Sequence, residues 1–193
     1  MCHYKGKEDV HSDRRSKAAT GGPCEEIHAP GPIGSPSVVG GRLMFRVSES
    51  VIIERPPAEV FGVAADPQEQ LKWDHETLRN VEKLTPGPLG LGARYRGEFK
   101  GFGTVEYEYD VFEPGHKFTH RAEMKIADVR HTFEFEEVPE GTRLTQSIVA
   151  EPKGMGRLMA PIMKVMMRRR LRVIDSEVGQ YLLETPRTPS AQQ

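Results

Sequence analysis

The sequence predicts an α+β domain in which a curved antiparallel sheet of about seven strands wraps around one long C-terminal helix. Three observations predict it. From Gly154 to Glu184, apolar residues recur at helical spacing: Met155, Leu158, Met159, Ile162, Met163, Met166, Leu171, Ile174, Val178, Tyr181 and Leu182 fall near one face, and Arg168, Arg169, Arg172 and Asp175 on the other. Ahead of this segment, between residues 94 and 150, stretch after stretch alternates apolar and polar residues with the period of two of a half-buried strand. Turn signals separate most of these stretches, which predicts hairpins. A helix of that length runs roughly 45 Å, longer than a small domain is wide, so it must lie along a large apolar surface. The inward faces of the strands supply one.

Residues 1 to 42 are rich in Gly, Pro, Ser, His and charge and lack sustained periodicity, so they are expected to form a disordered tail. The folded domain is placed at 43–185, with a second short tail at 186–193. Its first strand runs from Met44 to Glu54, where Phe45, Val47, Val51 and Ile53 alternate with Arg46, Ser48 and Ser50. Glu49 has the parity of the apolar face; a cavity-facing carboxylate and a bulge that turns it to solvent are both open, with solvent favoured. Pro56-Pro57 then opens a short helix that turns Val60, Phe61 and Ala64 inward. Asp66 caps and Pro67 starts a second one, which ends around Trp73-Asp74-His75, so the pair forms a V.

A weak strand near Leu78 to Leu84 and the loop 85–90 precede the better strands. Tyr95, Gly97 and Phe99 share one face, as do Val105, Tyr107, Tyr109 and Val111. Phe118, His120, Ala122 and Met124 follow, then Val129, His131, Phe133 and Phe135, and finally Leu144, Gln146, Ile148 and Ala150. The intervening turns are Lys100-Gly101-Phe102-Gly103, Glu113-Pro114-Gly115-His116 and Pro139-Glu140-Gly141. Outward Arg94, Arg96 and Arg130 are expected to pair across strands with Glu106, Glu108, Asp110 or Glu134.

The run Val51-Ile52-Ile53-Glu54-Arg55-Pro56-Pro57-Ala58-Glu59-Val60-Phe61, then Asp66-Pro67 and Trp73-Asp74, resembles the opening of the START-like (SRPBCC) superfamily, which includes the polyketide cyclase/dehydrase and lipid-transport proteins. The segment from Gly154 to Arg172, with Pro161 and an Arg-rich helix ending in Leu182-Leu183-Glu184, is similar to its C-terminal helix. The resemblance covers about residues 44 to 185, and its motifs are structural, so they specify fold better than function. It implies a helix-grip fold with a cavity between sheet and helix that receives an apolar ligand. Ring-hydroxylase relatives carry metal-site ligands and a separate iron–sulfur domain, and neither pattern is present in this sequence.

Register estimated from the turns pairs Phe99 with Val105, Val111 with Phe118, Met124 with Ala127 and Phe135 with Leu144. One inward cross-strand row results: Tyr95, Tyr109, His120, His131, Ile148, with Gln146 and Tyr107 one step away. Directly opposed Cβ atoms lie about 5 Å apart, so His120 and His131 can share a proton, a water or a ligand oxygen. Four roles are open to the row. It can orient an oxygenated ring-shaped ligand, or its members can bond one another and ordered water. The His pair, with Tyr109, can serve as acid and base in a cyclase-like enolisation or dehydration. A metal site is the weakest case, because two His without an inward carboxylate are an incomplete ligand set. Candidate ligand contacts are Trp73, Tyr95, Tyr107, Tyr109, His120, His131, Phe133, Gln146, Met155, Met159 and Met163. Trp73 packs at the cavity rim or stacks on ligand. The methionines are adaptable ligand contacts or ordinary core filler. Pro161 is expected to kink the helix or to set its start near Ala160, leaving Met155 to Met159 as a mobile lid.

Composition narrows the partners. A 193-residue chain that is 37% hydrophobic and 28% charged, with net charge −1, is ordinary for one soluble domain and offers no concentrated basic surface for nucleic acid. The basic run 168–172 is read as a solvated helix face or as a surface for transient contact with anionic membrane or a partner. Cys2 and Cys24 precede the domain, and their spacing with His3, His11 and His28 matches no zinc pattern. No apolar leader follows Met1 and no apolar run reaches about 18 residues, so a cytoplasmic location is expected. No metal or cofactor is expected. The leading function is binding or carrying a hydrophobic small molecule such as a lipid, isoprenoid or polyketide; aromatase/cyclase or dehydratase activity and membrane or partner binding are the alternatives. Ligand identity and oligomeric state are left open by the sequence.

Overall fold

The computed structural model describes residues 37–39 and 42–186. Cys2, Cys24, His3, His11, His28 and most of the two expected tails lie outside the described residues. Where the first expected tail is described it is strand: β1 (Ser37–Val39) pairs with the start of β2 (Arg42–Ile53) through Ser37↔Met44. The sheet therefore has eight strands where the alternation predicts about seven. Three residues are too few to show a period of two, which is why β1 leaves no trace in the pattern.

Two short helices follow β2, as predicted. In α1 (Pro57–Ala65) the second proline of the pair occupies the first turn, where its missing N–H would have no partner in any case. In α2 (Pro67–Trp73) the Asp66 carboxylate accepts from the Gln68 amide at 2.8 Å. The chain then runs as a meander: β3 (Leu78–Lys83), β4 (Arg94–Phe99), β5 (Gly103–Glu113), β6 (Lys117–Glu123), β7 (Ala127–Val138) and β8 (Gly141–Pro152). The spatial order is β1-β2-β8-β7-β6-β5-β4-β3, with every neighbour antiparallel. The first long strand thus lies beside the last.

The long helix α3 spans Gly156–Glu184 without interruption. Its start is earlier than Pro161 suggests. Pro161 is only the sixth helical residue, so it removes a single bond, to the Arg157 carbonyl, beyond the first-turn donors that have no helical partner anyway. Residues 156 to 159 are helical, so the helix does not start near Ala160 as expected. Gly156 is required there because a Cβ would lie 2.0 Å from the Ile126 carbonyl oxygen in the β6–β7 turn. At the far end the buried Arg55 guanidinium donates to the carbonyls of Leu182 and Thr185, closing the helix C-terminus from β2's exit.

α3 joins two apolar clusters. Ile174, Val178 and Leu182 enter the larger one, with α1, Trp73 and the aromatic residues of β4 to β7. Ala160, Met163, Met167 and Leu171 enter the second, with Phe45, Val47, Ala127, Ile148 and Ala150.

Two carboxylates are placed differently from expectation. β2 pairs with β8 in unbroken register from Phe45↔Ala150 to Ile53↔Thr142, so no bulge turns Glu49 to solvent. Its carboxylate instead meets Arg168 at 3.3 Å and Arg172 at 3.2 Å and ties α3 to the sheet. Asp175, assigned by spacing to the polar face of the helix, is buried and accepts from Gln146 Nε2 at 2.5 Å. Over 29 residues a helix drifts relative to a curved sheet, so a residue at the margin of the apolar stripe can be turned inward.

Candidate functional site

The inward row exists, with one member displaced. Tyr109 opposes His120, His120 opposes His131, and His131 opposes Ile148. Tyr95 opposes Tyr107 instead of Tyr109, because the β4–β5 hairpin closes with Phe99↔Gly103, a slip of two residues. A slip of two keeps every side chain on its face, so Tyr95 is still inward and stacks on Tyr107 at 5.8 Å. The predicted Val111–Phe118 pair is also shifted: a bulge at Asp110 sets Val111 against Thr119 and Phe112 against Phe118.

Between this face and α3 lies a cavity of about 110 Å³, partly open to solvent. Phe99, Phe102, Val105, Tyr107, Ala122, Met124, Val129, Phe133 and Ile148 form its sheet side, Met167, Arg170 and Ile174 its helix side, and Gln70 of α2 one end. His120 and His131 are its central polar groups, with ring centroids 6.3 Å apart. The cavity sits where the two apolar clusters meet, since its lining draws on both.

Hydrogen bonding fixes the chemistry of the pair. Gln146, fully buried, donates through Nε2 to Asp175 and turns Oε1 toward His131 Nε2 at 3.0 Å. An amide oxygen only accepts, so this network assigns the His131 proton to Nε2. His120 Nε2 is buried with no partner among the described residues. Burial pushes the His120 imidazole down to about 3, with the Arg170 charge adding to the shift, and it pushes His131 well below its ordinary value, helped by His120 and Arg170. Both rings are neutral at physiological pH. Asp175 is moved the other way: burial raises it to about 6, Glu49 adds to the rise, and the Gln146 bond opposes it.

Of the predicted contacts, Tyr107, His120, His131 and Phe133 line the cavity. Gln146 stands behind them and orients His131. The others are elsewhere. Tyr109 is fully buried, and its hydroxyl donates to the Ala65 carbonyl at 2.5 Å, pinning the end of α1; burial holds its pKa well above the usual phenol range. Trp73 donates to the Val63 carbonyl at 3.3 Å and packs in the larger core, away from any rim. Tyr95 is behind Tyr107. Met163 fills the second core, while Met155 and Met159 are exposed on the outer side of α3 and do not line this cavity. Among the described residues no group of three His, Cys, Asp or Glu could hold a metal.

Sequence reasoning missed Gln70, Phe102, Met167 and Arg170. Arg170 had a readable signal: with Met163, Met167 and Ile174 it continues the i, i+4, i+7, i+11 spacing of an inward stripe. Treating residues 168 to 172 as one charged run concealed it, although three consecutive helical residues span about 200° and cannot share a face.

The architecture is that of known proteins. It is similar to the Zhui aromatase/cyclase from Streptomyces sp. R1128 (15% identity, TM-score 0.65, covering 77% of this chain and 99% of that one). It is also similar to the di-domain aromatase/cyclase BexL from the BE-7585A biosynthetic pathway (15% identity, TM-score 0.64, 74% of this chain). The chain spans only 51% of that protein. A point mutant of Thalictrum flavum norcoclaurine synthase, in complex with a transition-state analogue, gives 11% identity and a TM-score of 0.58, covering 74% and 96%. Identities this low show a shared fold and nothing finer. No curated protein matches the chain. Residues 44–178 match the profile described as polyketide cyclase / dehydrase and lipid transport, and the chain, a helix-grip domain with its cavity between sheet and C-terminal helix, belongs to that family.

Proposed function

We propose that the domain binds and carries a hydrophobic small molecule, lipid, isoprenoid or polyketide-like, in the cavity between the sheet and α3. The observation that carries this reading is a buried, partnerless His120 Nε2 on the wall of an otherwise largely apolar space. A buried polar atom is destabilising until something bonds it, so a cavity built around one suits an apolar guest with an oxygen. An apolar cavity of about 150 Å³ accepts benzene, so 110 Å³ holds roughly one ring, and a longer ligand extends through the opening. Native mass spectrometry of the purified protein is expected to show an apolar adduct; a guest-free mass, with no uptake of added hydrophobic compounds, contradicts the reading.

Aromatase/cyclase or dehydratase action is supported less well. A base suited to neutral pH titrates near 7, whereas burial leaves the His120 imidazole a far weaker one. His120→Ala and His131→Ala proteins that fold yet lose turnover of an aromatic polyketide would restore the enzyme reading, and unchanged turnover would remove it.

A second surface favours transient membrane contact. Met155, Leu158, Ile162 and Val165 are 58 to 77% exposed along one outer stripe of α3, with Arg157 and Arg169 nearby. The sequence carries no acidic residue between Pro152 and Ile174. An apolar stripe in a basic setting matches the boundary of an anionic bilayer. No helix among the described residues is long and apolar enough to cross one. Sedimentation with anionic liposomes at low salt is expected to retain the protein, and Leu158→Glu to release it; absence of wild-type binding would end this reading.

A further inference from the structure

We infer that the ligand of this cavity carries a carboxylate and that Arg170 is the residue that receives it. The inference rests on the ligand-binding reading and names the chemical class of the guest. Arg170 is the one ionised side chain among the residues that line the cavity, whose two imidazoles are held neutral. Its neighbours Arg168 and Arg172 turn to the other side of α3 and share Glu49. Arg170 has no carboxylate within ion-pairing distance among the described residues. Its guanidinium instead lies over the Phe99 ring, 4.6 Å from the centroid, and 5.9 Å from that of Phe102. The acid whose charge reaches it, Asp74, is fully buried and already accepts from Gln70 Nε2 and from the Thr77 amide and hydroxyl.

A guanidinium over two rings keeps its N–H edges free, because cation–π contact uses the face and leaves the fork for an in-plane acceptor. Carboxylate is the matching partner: it accepts two parallel N–H bonds from such a fork. A phosphate would bring up to two charges into a cavity that offers one cation, so a monoanion suits the site better. The buried, partnerless His120 Nε2 is available to a second oxygen on the same guest. The apolar walls then take a flat hydrocarbon body, and the whole describes a hydrophobic, ring-bearing acid.

Two isosteric probes test it: 2-naphthoate and the neutral 2-naphthamide, titrated by calorimetry at pH 7.5 into full-length protein. The expected result is naphthoate affinity at least tenfold above naphthamide in the wild type. In Arg170→Met that ratio should fall within twofold of one. A wild-type ratio near one, or a preference that survives in Arg170→Met, overturns the inference and leaves the binding reading standing. Failure of both probes to bind the wild type removes the binding reading as well. Should Arg170→Met fold poorly, the wild-type ratio still decides, and Arg170→Lys, which keeps charge but not the fork, is expected to retain only part of the preference.

Discussion

Replacing His120 by Phe should make the protein markedly less sensitive to acid. The imidazole lies among rings that a phenyl can join without loss: Tyr109 at 4.4 Å edge-on, Tyr107 at 4.9 Å and Phe118 at 5.1 Å. In the folded protein the imidazole takes up a proton only at about 3, driven first by burial and then by the Arg170 charge, whereas in the unfolded chain it does so near 6.5. Below 6.5 the unfolded state therefore binds a proton that the folded state refuses, and stability falls as pH falls toward 3. Between pH 7 and pH 5 this one group withdraws about 2 kcal/mol, an upper figure because the ring keeps some solvent contact through the cavity. Urea unfolding of wild type and His120→Phe at both pH values measures it. The wild type should lose about 2 kcal/mol more than the variant on acidification, and the variant should match or exceed wild type at pH 7 because a partnerless buried nitrogen is gone. Equal acid losses in the two proteins would show that His120 is not held neutral by burial.

Asp175 has the opposite sign. Its folded value is raised from 3.8 to about 6, so its ionised form burdens the folded state above pH 6, and the burden lifts as pH falls from 6 toward 4. Asp175→Asn, which can still accept from Gln146, is expected to gain up to about 3 kcal/mol at pH 8 and little at pH 4, read from thermal melts. A variant less stable than wild type at pH 8 would contradict this. Gly156→Ala separates local from tertiary effects: helix propensity alone favours Ala by about 1 kcal/mol, but the 2.0 Å approach to the Ile126 carbonyl predicts a net loss of about 1–3 kcal/mol in urea unfolding. A gain in stability would show that α3 does not abut that turn.

The sheet was legible because its period is two. Even where the Lys100–Gly103 turn misplaced Tyr95 by two residues, the side chains of β4 stayed on their faces, and the row from Tyr109 through His120 and His131 to Ile148 came out in register. The end of β2 announced its helices through Pro57 and the Asp66 cap. The helix side of the cavity was less legible. Position on a wheel assigns a face but not what that face meets, so Met155 and Met159 were expected at the cavity and lie outside, while Arg170 faces in. Trp73 and Tyr109 were misjudged for another reason: both have a polar handle, and each uses it on a backbone carbonyl of α1, a contact between elements that leaves no periodic trace. Glu49 shows the value of trusting parity. Its parity pointed inward although solvent was favoured, and the two arginines that receive it were visible one helical turn apart.

The central claim, that the space between sheet and α3 is the ligand site, is tested most directly by filling it. Ala122 lines the cavity and is small, so Ala122→Trp should occupy the space with little effect on the surrounding core. Titration with the neutral fluorophore N-phenyl-1-naphthylamine is expected to give a saturable fluorescence rise with wild type and none with Ala122→Trp, at a melting temperature no lower than wild type. Equal dye binding by the two folded proteins would contradict the account.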